Sequence, residues 1–191
     1  MNLSIIGPSG CGKGTQAELV AQKYQLSHIS TGELFRKEYA KKSPQGLAAY
    51  AYWSAGKWVP DAETFALLKI YMGMAKTGFI LDGYPRTVNQ AIMLDNYLKE
   101  QNLKLDYVIN LEVSENEVVK RLLLRAQKDK MQKGASRNDE TEEVIRQRIN
   151  SFKESIAPII DYYQKQNKLI NVNGEGKIED IFNEITSGLI E

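Results

Sequence analysis

The sequence predicts an α/β fold of three layers, a parallel sheet flanked by helices. Two observations carry that expectation. Short apolar runs alternate with longer stretches in which apolar residues recur at helical spacing, the pattern of a parallel sheet covered on both faces. The first run, Leu3 to Ile6, is cut off by a glycine-rich segment, Gly7 to Gly14, that opens straight into a run of good helix formers.

Taken in order, Leu3, Ser4, Ile5 and Ile6 predict a buried strand entering a tight turn at Gly7 and Pro8. Thr15 to Tyr24 follows as a helix with Ala17, Val20 and Ala21 on one face. Phe79 to Leu81, Tyr107 to Leu111 and Leu169 to Val172 predict further strands. Between them Phe65, Leu68, Met72 and Ala75 share a helical face, as do Val119, Leu122, Leu123 and Ala126. The longest helical stripe is Ile145, Ile149, Phe152, Ile156, Ile159 and Tyr163, with a kink expected at Pro158. Two segments break the alternation and are expected to be mobile insertions. Ser30 to Val59 looks helical without the aliphatic density of a core, and Ala126 to Ser136 is polar, with Lys128, Lys130 and Lys133.

A chain of 191 residues fits one compact domain at roughly 100–200 residues per domain. Lys plus Arg total 25 against 24 Asp plus Glu, so the net charge of +1 gives no bulk attraction for nucleic acid or an anionic membrane. One cysteine and one histidine do not fill a four-ligand zinc site without several carboxylates. The sequence has neither the basic and apolar regions of a signal peptide nor an apolar run of membrane length, so a soluble cytoplasmic chain is expected.

Gly7, Pro8, Ser9, Gly10, Cys11, Gly12, Lys13, Gly14 and Thr15, placed between a strand and a helix, read as a phosphate-binding P-loop. Glycines let backbone N–H groups turn inward around phosphate oxygens. The helix N-terminus adds roughly half a positive charge, and Lys13 adds a full mobile one. The strict pattern places Ser or Thr directly after the lysine; here Gly14 stands there and the hydroxyl comes at Thr15. Cys11 reads as a small filler with no chemistry at its thiol.

With its Gly12, Lys13, Gly14, Thr15, Gln16 ending, this loop resembles that of the nucleoside monophosphate kinases, the adenylate kinases most closely. His28 to Arg36 is similar to that family's acceptor-site segment, Gly56 to Asp61 to its glycine-to-valine-proline block, and Asp82 to Gln90 to its Asp-Gly-aromatic-Pro-Arg-Thr motif. Arg121, Arg125, Arg137, Asp139, Arg146 and Arg148 match residues that flank and anchor its lid. Several spaced motifs in order, from Met1 to the C-terminal helix, are far more specific than any one. The resemblance implies a P-loop core at 1–29, 60–124 and 138–191, a helical acceptor-binding insertion at 30–59, and a short lid at 125–137 without cysteines for zinc.

The resemblance also implies reversible transfer of the terminal phosphoryl group from Mg-ATP to AMP, giving two ADP, by a monomeric enzyme. ATP would be held by Gly10, Cys11, Gly12, Lys13, Gly14 and Thr15, with Arg121 across its base, the Gly176 carbonyl accepting from its adenine, and Arg125 beside it. AMP would meet Thr31, Arg36, Lys57, Trp58, Val59, Gly83, Tyr84, Pro85, Arg86 and Gln90, together with Arg137 and Arg148. Lys13, Arg86, Arg125, Arg137 and Arg148 would carry the catalytic charge, and Asp82 with Thr15 would orient water around Mg²⁺. Phosphoryl transfer asks the protein for alignment, positive charge and water exclusion, so no general base is required. His28 reads as a packed or hydrogen-bonded histidine, and Arg146 as a surface residue.

Thr31, Thr87 and Gln90 resemble the adenylate kinase version of these motifs, in which the glutamine amide pairs with adenine. Four positions depart from the family pattern: Trp53 and Trp58 replace smaller aliphatics, Tyr84 a common Phe, and Glu140 a second aspartate. Two alternatives stand beside the main reading. One is a pyrimidine (UMP or CMP) monophosphate kinase on the same fold, against which Gln90 speaks. The other is a nucleotide-binding regulatory module with slow turnover, against which the lid arginines speak. Asn167 and Lys168 are followed by Leu169 and Ile170, which is not the guanine-reading block of switch GTPases.

Overall fold

The computed structural model of the chain describes residues 1–133 and 142–189. Within these, β1 (Asn2–Ile6) leads through the glycine loop into α1 (Lys13–Tyr24). Next come β2 (Ser27–Ser30), α2 (Thr31–Ala40), α3 (Pro44–Trp53), α4 (Asp61–Met74), β3 (Phe79–Asp82), α5 (Val88–Glu100) and β4 (Tyr107–Glu112). The chain closes with α6 (Glu115–Lys133), α7 (Glu142–Gln164), β5 (Leu169–Asn173) and α8 (Ile178–Gly188).

All strand pairs are parallel, in the order β2-β3-β1-β4-β5. The chain places β2 and β3 on one side of β1, then crosses to β4 and β5 on the other. Ligand crevices of open parallel sheets lie at such a reversal, beyond the carboxyl ends of the strands. Alternation of side chains across the strands makes two apolar layers. Leu3, Ile5, Ile80, Ile109 and Leu111 pack with Ala17 and Val20 of α1 and Ile181 and Ile185 of α8. Ile6, Phe79, Leu81 and Val108 pack with Phe65 and Leu68 of α4, Leu94 and Leu98 of α5, and Ile159 and Tyr163 of α7. The three-layer α/β expectation therefore holds.

Several local expectations are corrected. Ser27–Ser30 carries one buried apolar residue, Ile29, and becomes a strand through its ladder to β3. Helix α6 runs to Lys133, so the polar stretch beginning at Ala126 starts as helix, as its straight-chain Gln, Lys and Met residues favour. The buried face of α6 is Val118 and Leu122 against Ile145 and Ile149 of α7, while Leu123 is exposed. Helix α7 continues through Pro158, with Ile159 and Tyr163 beyond it in the main core.

Helices α2 and α3 pack on each other with aromatic rather than aliphatic side chains. Tyr39 stacks on Tyr50 at 4.3 Å between ring centroids, and Trp53 meets both edge-on. Helix α3 starts where the Ser43 hydroxyl accepts from the Gly46 N–H at 3.0 Å, with Pro44 in the first turn. A Cβ on Gly46 would run into the backbone of Glu38 and Tyr39, so only glycine lets the two helices approach this closely. Among the described residues, no helix is long and apolar enough to cross a membrane.

Candidate functional site

A cleft of about 440 Å³ opens over the carboxyl ends of β1 and β3. Its floor is the glycine loop. Gly12, at φ 105°, is the N-cap of α1 and gives no side-chain cap, so the first amides of the helix face the cleft. Gly10, at φ 85°, lies so close to α6 that a Cβ there would come within 2.7 Å of Leu122. Lys13 folds back over this loop: its Nζ donates to the carbonyls of Gly7 and Pro8, both at 2.8 Å. The Cys11 side chain is buried, so only its backbone is available to a ligand.

Arg121 braces the loop from α6. Its Nη1 donates to the carbonyls of Cys11 at 2.9 Å and Gly174 at 3.0 Å, tying the glycine loop to the turn after β5. Its Nε donates to Glu117 at 2.8 Å, and this hydrogen bond holds the Glu117 carboxyl below its usual pKa. Gly176, in the same turn region, is exposed and does not line the cleft.

Asp82 ends β3 beside α1, with Oδ2 placed 3.5 Å from where a Cβ of Gly14 would be. Burial alone would raise its pKa, but contact with His28 and the charge of Lys13 outweigh that, and the net direction is down. His28 Nε2 stands 3.6 Å from Asp82 Oδ2, an ion-pair contact longer than a hydrogen bond, and the carboxylate raises the His28 pKa against the opposing effect of burial. His28 is thus partnered, as expected, and its partner belongs to the site. Thr15 reaches the cleft from α1. A carboxylate held ionised in the same cleft as a hydroxyl and the first helix amides fits Mg²⁺, which takes few protein ligands and keeps water and substrate oxygens as the rest. Among the described residues, no three His, Cys, Asp or Glu side chains group to cage a metal.

The opposite wall is cationic. Arg36 from α2, Arg86 after β3, Arg125 from α6 and Arg148 from α7 all line the same cleft. Burial and the charges of Arg148 and Arg36, against the attraction of Asp82, push the Arg86 pKa down to about 10, so it stays charged at neutral pH. Its main-chain N–H donates to Gln90 Oε1 and its Nε to the Gly83 carbonyl, both at 2.7 Å. The Gln90 Nε2 donates in turn to Asp61 Oδ1 at 2.7 Å, and Asp61 Oδ2 accepts from Thr87 and Asn89. One amide hydrogen and one lone pair of Gln90 are left for a ligand. Thr31 donates to the carbonyl of Asp82 or Gly83, at 3.2 and 3.3 Å. Lys57, Trp58 and Val59 close the wall, and Arg148 donates to the Trp53 carbonyl at 3.1 Å.

The Tyr84 side chain does not open to the cleft. It is fully buried, stacked near Phe65 at 6.2 Å and donating to the Gln90 carbonyl at 3.2 Å, so burial sends its pKa upward and it shapes the wall from behind. Gly83 and Pro85 line a small hollow adjoining the cleft, next to Lys13, Trp58 and Arg86. Arg137 and Asp139 lie outside the described residues. Phe35 and Thr64 also line the cleft without having been singled out by sequence, and Asp61, named there only as the end of the Gly56 to Asp61 block, orients Gln90; a carboxylate opening a helix directly after Val59 and Pro60 was the available signal.

A family model described as adenylate kinase matches residues 5–168. The chain belongs to the adenylate kinase family. A Corynebacterium urealyticum protein named adenylate kinase is 44% identical over 183 residues, 95% of this chain and 94% of its own length. A Leptospira biflexa protein of the same name is 40% identical over 98% of both chains. An Archaeoglobus fulgidus adenylate kinase is 39% identical over 97% of this chain and 96% of its own. The glycine loop, Asp82 and the arginine wall thus line one cleft in a chain of this family.

Proposed function

We propose that the chain transfers the terminal phosphoryl group of Mg-ATP reversibly to AMP, giving two ADP. The observation that carries this is the single cleft in which Lys13 and the α1 amides face Arg36, Arg86 and Arg148. Two anionic substrates end to end need positive charge on both sides and between them.

Lys13 moves from the Gly7 and Pro8 carbonyls onto the ATP phosphates, joined by the α1 amides. Arg121, which lines the cleft, lies along the ATP base. Arg86 and Arg36 take the acceptor phosphate; Arg125 and Arg148, with Arg137, cover the transferring group. Removing one such donor typically costs about 2–4 kcal/mol of transition-state stabilisation. Gln90 offers its remaining N–H and lone pair to adenine, between Thr31 and the Lys57, Trp58, Val59 segment. Asp82 and Thr15 would hold Mg²⁺ through water, and the ion would supply charge neutralisation at the phosphates. Residues 30–59 and 125–137 serve as acceptor insertion and short lid, excluding water during transfer.

The test is an initial-rate assay with Mg-ATP and AMP, CMP, UMP or GMP. AMP should be preferred by at least tenfold in kcat/KM. A preference for CMP or UMP would move the acceptor assignment to pyrimidines, and phosphate release without acceptor phosphorylation would mark a regulatory hydrolase.

A further inference from the structure

We propose that Trp58 is a positioning residue for the acceptor phosphate: its indole face holds the Arg86 guanidinium so that the N–H edge stays open to the anion. Its role rests on the reading above, in which Arg86 meets that phosphate.

The Arg86 Cζ lies 4.3 Å from the centroid of the Trp58 ring. On its other sides the guanidinium is held through Nε, which donates to the Gly83 carbonyl, and by its packing on Gly83, where an added Cβ would meet Nη2 at 3.1 Å. Among the described residues no carboxylate forms an ion pair with Arg86. Asp82 attracts it from beyond ion-pair distance, but burial and the charges of Arg36 and Arg148 oppose its own and outweigh that attraction. A carboxylate would relieve that by taking the N–H fork, which is the group phosphate needs. An aromatic face attracts the cation through its quadrupole and leaves the fork unoccupied. Trp is the strongest of the aromatic residues in this role, and an aliphatic side chain at position 58 would supply contact without that attraction.

The two tryptophans of this segment therefore differ. Trp53 is built into the Phe35, Tyr39 and Tyr50 cluster between α2 and α3. Trp58 stands on the cleft wall against the cation and adjoins the hollow that holds Lys13 and Arg86.

The experiment uses the full chain with Trp58→Tyr, Trp58→Phe and Trp58→Leu. The KM for AMP should rise in the order Trp, Tyr or Phe, Leu, reaching about tenfold in Trp58→Leu, while the KM for ATP and the Tm stay near wild type. In wild type the Arg86 Nε–H resonance should be shifted upfield by the indole ring current, and the shift should vanish in Trp58→Leu. In an Arg86→Met background, Trp58→Leu should add nothing to the KM for AMP. Equal KM values for Phe and Leu variants, an equal rise in the KM for ATP, or additive effects with Arg86→Met would each overturn the proposal and leave the acceptor site standing. If the Leu variant does not fold, an unshifted Arg86 resonance in wild type overturns the proposal by itself. An unchanged KM for AMP in Arg86→Met alone would instead sink the acceptor-site reading, and the role of Trp58 with it.

Discussion

On the side of the cleft assigned to ATP the loop orders itself locally, Lys13 bonding carbonyls five and six residues away and the loop running directly into its helix, while Arg121 braces it from α6. The side assigned to AMP is assembled from α2, α4, α5, α7 and the turn after β3: besides the local bonds of Arg86 to Gly83 and Gln90, Asp61 bonds Thr87, Asn89 and Gln90 across 26 to 29 residues and Arg148 bonds the Trp53 carbonyl across 95. A phosphate site made of backbone amides tolerates little change, because each residue fixes the path of the next. A site made of side chains from several elements spreads its orientation over a network, so single changes there have graded effects and leave room for departures such as Trp58.

The contrast breaks most sharply at Lys13. Lys13→Met should lower kcat/KM by about a hundredfold to a thousandfold, with a Tm close to wild type, because the bonds of the lysine stay within its own loop. On the acceptor side, Asp61→Ala frees the Gln90 amide and uncouples Thr87 and Asn89. Steady-state kinetics should show the KM for AMP rising about tenfold with the KM for ATP unchanged, the size expected when a buried hydrogen-bond partner is lost. Equal changes for both substrates would erase the distinction between the two sides.

A stability measurement sharpens it further. Gly10→Ala places a methyl group against Leu122 at a left-handed backbone position, and should cost about 1–3 kcal/mol, or about 2–10 °C in Tm by calorimetry. The smallest effect concerns His28 and Asp82. The pKa of His28 is raised by folding, so its contribution is complete below 6.5 and fades as pH rises through the higher folded value. The pKa of Asp82 is lowered, so its contribution holds above 3.8 and is lost as pH falls through the lower folded value. His28→Asn should therefore lower Tm by about 2 °C near pH 6 and by less near pH 9, in thermal melts across pH. A deficit growing toward alkaline pH would reverse the assignment.

The glycine loop was legible because its meaning is contained in nine consecutive residues and their place between strand and helix. The sheet was legible where the strands are apolar, and Ser27–Ser30 was not, because its strand character comes from pairing with β3. Tyr84 and Arg86 sit two apart in one motif, yet one turns into the core and the other out to the cleft, and sequence spacing in a turn does not say which. The orienting role of Asp61 was not legible for the same reason that it matters: its partners lie across the chain and meet it only in the fold.

The most direct measurement of the central claim is ³¹P NMR of the purified chain supplied with Mg-ADP alone. ATP and AMP should appear in equal amounts and approach an equilibrium with ADP, the conversion stopping with EDTA, resuming with added Mg²⁺, and being lost in Lys13→Met. Release of inorganic phosphate, or no conversion in active wild-type protein, would contradict ATP:AMP phosphotransfer.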